Sequence, residues 1–482
     1  MDKNKPNIVL IMSDQHRSDC LGSYGNQDVD THHIDQLAED GVLFENSFCA
    51  SPVCTPSRYS LLTSMYPHQH QGYTNESTIP SGIETFPRLL KNNGYQTKVV
   101  GKMHVTPTYL DVGFHEMMLA EQTEPGRDQD DYHRFLKEND LIDEVDLMDQ
   151  VEEYRNQAPK HYWETFGALE SNLPEEYYST SWIGEQALRS IEQWQDDQNL
   201  LMVSFIKPHH PFDPPFPWSE MYNPDDLSLL PGWTQECLED DLKVHQGYFP
   251  HEDLTEIKLK NVMAKYYGTI SHIDHYVGKI TQLLKEKGVY DNTLIIYTSD
   301  HGEYMGYHHL LLKSNHMYDP LMKVPLIIKY PNQYNKGSKS SMLVNNIDIG
   351  STILDVAQCQ NGKYMSGKSL LNDSINRDFV FSEDGRGKEY MVRSEEFKLL
   401  LRKDQENSMF FDLEKDPLEL NNLYDYPEYQ EQINEYKDIL SQFILFDSPS
   451  PVHLDENAAR LKDNTNTELR EWVNNKASFL KS

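Results

Sequence analysis

Short runs of consecutive apolar residues recur along the chain, and each ends abruptly in ionisable or amide side chains. The first, Asn-Ile-Val-Leu-Ile-Met at 7–12, leads into Ser13-Asp14-Gln15-His16. An unbroken apolar run of this length predicts a strand buried on both faces, as in a parallel sheet. Residues 96–100, which follow a helix stop at Asn93-Gly94, read as another strand and end at Gly101-Lys102-Met103-His104. Residues 200–206 open into Lys207-Pro208-His209-His210-Pro211, and 293–298 deliver Ser299-Asp300-His301-Gly302-Glu303. Residues 323–330 supply one more strand. Helical spacing of Ile34, Leu37 and Ala38, of Phe86, Leu89 and Leu90, and across 255–287 fills the gaps between strands. Such alternation predicts an α/β fold: a large, mostly parallel sheet flanked by helices, with its chemistry along the carboxyl edge.

From about residue 378 the elements shorten, at 390–392, 397–401 and 410–413, with charged turns between them. This predicts a smaller C-terminal domain with an antiparallel sheet and helices, and a division into 1–378 and 379–482. Residues 105–195 are irregular and rich in acids and aromatics, and read as insertions around a pocket. Trp163, Tyr177, Tyr178, Trp218 and Trp233 serve equally as pocket, interface or core residues.

Composition narrows the function classes. The chain has 482 residues, enough for more than one domain, and no apolar run approaches the roughly 18 residues of a membrane span. Its start is interrupted too soon by Ser13 and Asp14 for a signal peptide, so a cytoplasmic location and no membrane partner are expected. Five cysteines without paired spacing suggest neither a disulfide scaffold nor a structural zinc site. A net charge of −34 argues against nucleic-acid binding, which depends on basic contacts to phosphates.

One stretch can reverse that field locally. In Ala50-Ser51-Pro52-Val53-Cys54-Thr55-Pro56-Ser57-Arg58, Thr55 is the expected N-cap and Pro56 the first helical residue, with Tyr59, Leu61 and Leu62 on the apolar face. Cys54 then lies at a helix start that favours anions, with Arg58 about one turn on, an arrangement suited to sulfate or phosphate. At the strand ends, Asp14, Gln15, Asp300 and His301 offer ligands for one divalent ion. Oxygen donors suit Ca²⁺ or Mg²⁺, and the imidazole adds Mn²⁺.

Cys54-Thr55-Pro56-Ser57-Arg58 resembles the Cys-x-Pro-Ser-Arg signature of the type I sulfatases, in the alkaline-phosphatase-like superfamily. The resemblance extends through Gly101-Lys102-Met103-His104, Pro208-His209-His210-Pro211, Asp300-His301-Gly302-Glu303 and Lys313 to Phe411-Asp412-Leu413-Glu414-Lys415-Asp416-Pro417. It implies an alkaline-phosphatase-like fold, with Cys54 oxidised by a formylglycine maturation enzyme. The aldehyde hydrate attacks sulfur, the alcohol leaves, and collapse of the sulfated hemiacetal regenerates the aldehyde. Cys54 so modified also joins the metal set. Arg58 steadies nucleophile and anion, Lys102 supports the formylglycine, and His104 is the base for hemiacetal breakdown. His209, better aligned than His210, is the leaving-group acid, aided by Lys313.

Two departures bear on substrate. Many sulfatases have Asp-Asp and Asp-Asn at the two metal strands, whereas Asp14-Gln15 and Asp300-His301 resemble choline sulfatases and phosphonate or phosphate ester hydrolases. Asn75 resembles a substrate contact of that branch, while Gly101-Lys102-Met103-His104 resembles ordinary sulfatases. The expected reaction is hydrolysis of an aryl, sugar or small-alcohol sulfate, with phosphonate monoester or phosphodiester hydrolysis as the alternative. The expected substrate is a small molecule or short saccharide, and homo-oligomer formation is left open.

Overall fold

The protein is described by a computed structural model covering residues 5–451, apart from 81, 124, 196, 245–247, 372–376 and 386. Eight strands form the main sheet: β1 (Asn7–Asp14), β2 (Val42–Phe48), β3 (Gln96–Gly101), β4 (Glu116–Leu119), β5 (Asn199–Pro208), β6 (Thr293–Ser299), β7 (Leu326–Lys329) and β8 (Ser338–Asn345). Their order is β4-β3-β5-β1-β6-β7-β2-β8. β1 pairs in parallel with β5 and β6, and only β7 runs against its neighbours, so the sheet is mixed but mostly parallel.

All residues of β1, β5 and β6 are buried, which is why their sequences read as unbroken apolar runs. Ile8, Leu10 and Met12 face a cluster with Tyr59, Leu61, Phe86 and Leu90. Val9 and Ile11 face the opposite layer, with Ile34, Trp182, Ile183, Ile273 and Val277. The region 255–287 forms one helix, Glu256–Glu286, capped by the Thr255 side chain accepting from Lys258 N–H.

Two expectations need correction. The stretch 105–195 is not merely insertion, because the helix Ser179–Glu192 lies within it and buries Trp182, Ile183, Ala187 and Ile191 against the sheet. The cysteine helix spans Cys54–Thr63 with Val53, not Thr55, at its N-cap. Thr55 is drawn away from capping, since its hydroxyl donates to the His104 carbonyl at 2.7 Å. Pro56 therefore sits inside the first turn, where its missing N–H still costs no helical bond.

A second, antiparallel sheet has the order β12-β11-β10-β9, from β9 (Val380–Asp384), β10 (Glu389–Arg393), β11 (Phe397–Arg402) and β12 (Met409–Asp412). Val392, Leu399 and Phe410 pack on the helix Gln430–Gln442 through Ile433, Tyr436 and Leu440. Met391, Leu400, Met409 and Phe411 pack on Tyr304, Tyr318, Leu321 and Met322, so the small sheet backs the loop that follows β6. Of the expected 379–482 unit, 452–482 lie outside the described residues.

Candidate active site

The strand ends meet at one edge of the main sheet. Donor atoms of Asp14, Cys54, Asp300 and His301 all lie within 4.8 Å of one another, and all four residues are buried. Arg58 holds this group from below. Its Nε donates to Asp300 Oδ2 at 2.8 Å and its Nη2 to Asp14 Oδ2 at 3.1 Å. Its Nη1 donates to the Lys102 carbonyl at 2.5 Å and to Ser204 Oγ at 2.9 Å. Lys102 Nζ reaches Asp14 Oδ2 at 2.7 Å and Gln122 Oε1 at 2.9 Å. Gly101 permits this turn, because at φ +105° a Cβ there would overlap the Ser204 carbonyl oxygen.

Above the cysteine, Lys313 Nζ lies 3.0 Å from Cys54 Sγ, 3.1 Å from His301 Nε2 and 3.2 Å from His209 Nε2. Burial would raise the Cys54 thiol, but Lys313, His301 and Lys102 outweigh it and hold the group well below its ordinary range. The pocket thus stabilises an anion at this atom. Burial and Cys54 would also raise Asp14, yet Lys102, His209 and Arg58 keep it below the usual carboxylate range. Asp300 moves the other way, raised by burial and by Asp14 more than Arg58 lowers it. His209 is held well below the ordinary histidine value by burial, then by Lys313 and Lys102.

Backbone carbonyls orient both imidazoles. His301 Nδ1 pairs with the Gly302 carbonyl at 2.9 Å, which turns Nε2 toward Cys54, 3.1 Å from Sγ. His209 Nδ1 pairs with the His210 carbonyl at 2.7 Å and leaves Nε2 facing Lys313. Gln15 is oriented too. Its Nε2 donates to Glu303 Oε2, its N–H donates to Asp300 Oδ1 at 3.1 Å, and its Oε1 is buried without a hydrogen-bond partner. Gln15 follows Asp14 directly and its N–H holds Asp300, so its orphaned amide oxygen fits a divalent cation shared with those carboxylates, because a buried acceptor left unmatched is costly.

The other predicted residues also reach this edge. His104, at φ +52°, has its N–H bound by the Glu121 carboxylate at 3.0 and 3.1 Å; its Nε2 pairs with the Thr123 hydroxyl at 3.4 Å, and its buried Nδ1 has no hydrogen-bond partner among the described residues. Asn75 Oδ1 accepts from Thr55 N–H at 3.2 Å and so satisfies the first turn of the cysteine helix. His210 turns to Asp149, while His308 and His309 are spent on backbone carbonyls of Leu418, Thr234 and His251. The aromatic candidates pack on other rings: Trp163 on Tyr248, Tyr177 on Phe135, Tyr178 and Trp218 on His272, Trp233 on His309.

Sequence reasoning missed Ser204, Glu121, Gln122 and the role of Glu303. It also missed Asn346, whose Nδ2 donates to Ser57 Oγ at 2.8 Å while that hydroxyl donates to the Asp300 carbonyl at 2.5 Å. Ser204 had a signal, being the only polar residue in the run 200–206. Glu121 and Gln122 had none.

Comparison with known proteins agrees with this geometry. The family model described as "Sulfatase" matches residues 6–359, and "N-sulphoglucosamine sulphohydrolase, C-terminal" matches 306–444. An arylsulfatase of Clostridium perfringens is 32% identical over 467 residues, covering 90% of this chain and 94% of its own. An N-acetylglucosamine-6-O-sulfatase of Bacteroides thetaiotaomicron is 26% identical, covering 92% and 86%. The phosphonate monoester hydrolase of Agrobacterium radiobacter superposes with a TM-score of 0.75 at 23% identity, over 91% of this chain and 95% of its own, a likeness of fold. The first model takes in Asp14, Cys54, Lys102, His209 and Asp300 together, and this chain belongs to the sulfatase family of hydrolases.

Proposed function

We propose that the chain hydrolyses an organic sulfate monoester, of aryl, sugar or small-alcohol type, with formylglycine formed from Cys54. The observation that carries this is the crowding at Cys54 Sγ, with Lys313 Nζ at 3.0 Å and His301 Nε2 at 3.1 Å inside a group of metal-ligand donors. Sγ stands in for the hydroxyl oxygen of the formylglycine hydrate. Asp14, Gln15, Asp300 and His301, with the Cys54-derived oxygen, would hold one divalent ion, and the oxygen-rich set favours Ca²⁺ over Mg²⁺ or Mn²⁺. Bound there, the ion supplies Lewis-acid polarisation of the sulfate oxygens and lowers the proton affinity of the attacking hydroxyl.

The chain's own groups divide the remaining work. Arg58 fixes both buried carboxylates and favours their ionised forms, and Lys102 adds positive charge beside Asp14. Lys313 receives the sulfate oxygens. His209 Nε2, 3.2 Å from Lys313 Nζ, passes to the leaving alcohol a proton drawn from the Lys313 ammonium, because burial, Lys313 and Lys102 leave the imidazole itself unprotonated at rest. His104 takes the hydrate proton when sulfate is released. Asn75 keeps its amide Nδ2 for the substrate.

Cys54 is 1% exposed in the fold, so a maturation enzyme would act before folding is complete. The five cysteines are all unpaired, which supports a reducing, cytoplasmic setting, and no described helix is long and apolar enough to cross a membrane. The N-acetylglucosamine-6-O-sulfatase relative supports a saccharide among the candidate substrates.

The test is sulfate release from aryl, choline and glucosamine sulfates by protein whose intact mass shows conversion of Cys54. Conversion with turnover of a sulfate ester is expected. Converted protein that cleaves phosphonate monoesters of matched leaving group but releases no sulfate would transfer the assignment to the second reading, which the Gln15 and His301 pair supports.

A further inference from the structure

Asp149 is a buried acid that the hydrolysis reading leaves unused, and it gathers side chains from three segments. Its Oδ1 accepts from His210 Nδ1 at 2.6 Å and its Oδ2 from the Tyr162 hydroxyl at 2.7 Å. Its carbonyl accepts from Arg155 Nε at 2.8 Å and from the Tyr248 hydroxyl at 3.4 Å. The result is a row of flat groups running outward from His209. The His210 ring stacks on His209 with centroids 4.3 Å apart, Tyr248 follows at 5.7 Å from His210, and the Arg155 guanidinium lies 5.0 Å from the Tyr248 centroid.

The free ends of this row point to a ligand. His210 and Arg155 are both partly exposed, and neither His210 Nε2 nor either Nη of Arg155 has a hydrogen-bond partner among the described residues. Arg17, Arg58, Arg127, Arg377 and Arg393 are each ion-paired with an aspartate. Among the described residues Arg155 is held only by a backbone carbonyl and a ring face, in a chain of net charge −34. A guanidinium fixed at Nε keeps its two Nη groups aligned for a planar anion, and the adjacent rings offer a flat wall for a sugar or aryl ring.

We propose that His210, Tyr248 and Arg155, held together by Asp149, form the leaving-group subsite, and that it selects sulfate esters whose alcohol carries a second anionic group, a carboxylate or another sulfate. The inference rests on the hydrolysis reading, in which the alcohol departs on the His209 side. His210 lines that wall next to the proton donor, and Arg155 meets the second charge further out.

The experiment compares 3-carboxyphenyl sulfate with its neutral 3-carboxamide, using full-length, converted enzyme and its Arg155→Gln and Arg155→Lys variants. The quantity read is the ratio of kcat/KM for the anionic ester to that for the neutral one, which cancels intrinsic reactivity when compared between enzymes. Arg155→Gln should lower that ratio by about tenfold, chiefly through KM of the anionic ester, and Arg155→Lys should lower it less. An unchanged ratio in Arg155→Gln overturns the subsite while leaving sulfate hydrolysis intact. No sulfate from either ester, with conversion confirmed by mass, overturns the hydrolysis reading and the subsite with it.

Discussion

Around Cys54 the side chains come from strand ends and from the first turn of a buried helix; around His209 they come from loops and short helices of the region before and after β5. On the first side, Asp14, Arg58, Asp300 and His301 are at most 1% exposed, and Arg58 alone ties two carboxylates, a carbonyl and a hydroxyl into one unit. On the second, His210, Arg155 and Tyr248 are partly exposed and meet through a single acid, Asp149. The contrast separates two tasks. Charge that must not move is built into the sheet edge, where reorganisation is small. Selection of the alcohol is left to the side where substitution disturbs the sheet least.

The contrast can be broken most severely at the nucleophile. Cys54→Ala removes the attacking atom, and sulfate release should fall by about 10⁴-fold or more, as when any nucleophile acting in concert with its partners is deleted. Activity within a hundredfold of wild type in a single-turnover assay would remove Cys54 from the mechanism. Next in size is Arg58→Gln, which leaves Asp14 and Asp300 buried without their shared cation. Denaturant unfolding of metal-free protein should show a loss of about 3–5 kcal/mol. Arg155→Gln, with no carboxylate partner, should cost less than about 1 kcal/mol. Equal losses in the two variants would erase the distinction between the two sides.

On the leaving-group side, His209→Gln should cost about 10²–10⁴-fold for alkyl sulfates and far less for nitrophenyl sulfate, whose alcohol departs without a proton. The measurement is the slope of log kcat/KM against leaving-group pKa, and a slope equal to that of wild type would sink the assignment. A smaller effect belongs to Glu303, which accepts from Gln15 Nε2, Met305 N–H and Leu312 N–H. Glu303→Gln loosens Gln15, and Ca²⁺ titration of the apoprotein should show affinity about 10–100-fold weaker. Unchanged affinity would mean that Gln15 is not a ligand.

The same division explains what could be read from the chain. Asp14 ends a buried strand, His209 and Asp300 each follow one, and Lys102 follows a strand buried over its last three residues, so a run of apolar positions announces its polar terminus and the parallel sheet brings the termini together. Asp149, Arg155 and Tyr248 follow no such run, and their meeting depends on loop paths that periodicity does not encode. Ser204 lies between these cases, being visible as a polar break in an apolar strand but meaningful only once Arg58 is seen to reach it. The direction of β7 was equally hidden, because an apolar run of three residues reads alike in parallel and antiparallel pairing. Thr55 shows the converse failure. Its local role as an N-cap is the favoured one by residue type, and a tertiary hydrogen bond to His104 overrides it.

Asn75 lies against the first turn of the cysteine helix, and it gives the smallest and most discriminating test. Its Oδ1 already accepts from Thr55 N–H, so it acts as a remote cap for the cysteine helix, while Nδ2 has no hydrogen-bond partner among the described residues. Asn75→Ala should lose about 1 kcal/mol of stability from the cap and raise KM through the lost amide donor. Asn75→Asp separates these effects, because a carboxylate still accepts from Thr55 but cannot donate, and it sets a negative charge toward an anionic substrate. Stability near wild type with a raised KM is expected for Asn75→Asp. A KM unchanged in both variants would confine Asn75 to capping, and the helix that carries Cys54 would then have borrowed its cap from a loop that the substrate never touches.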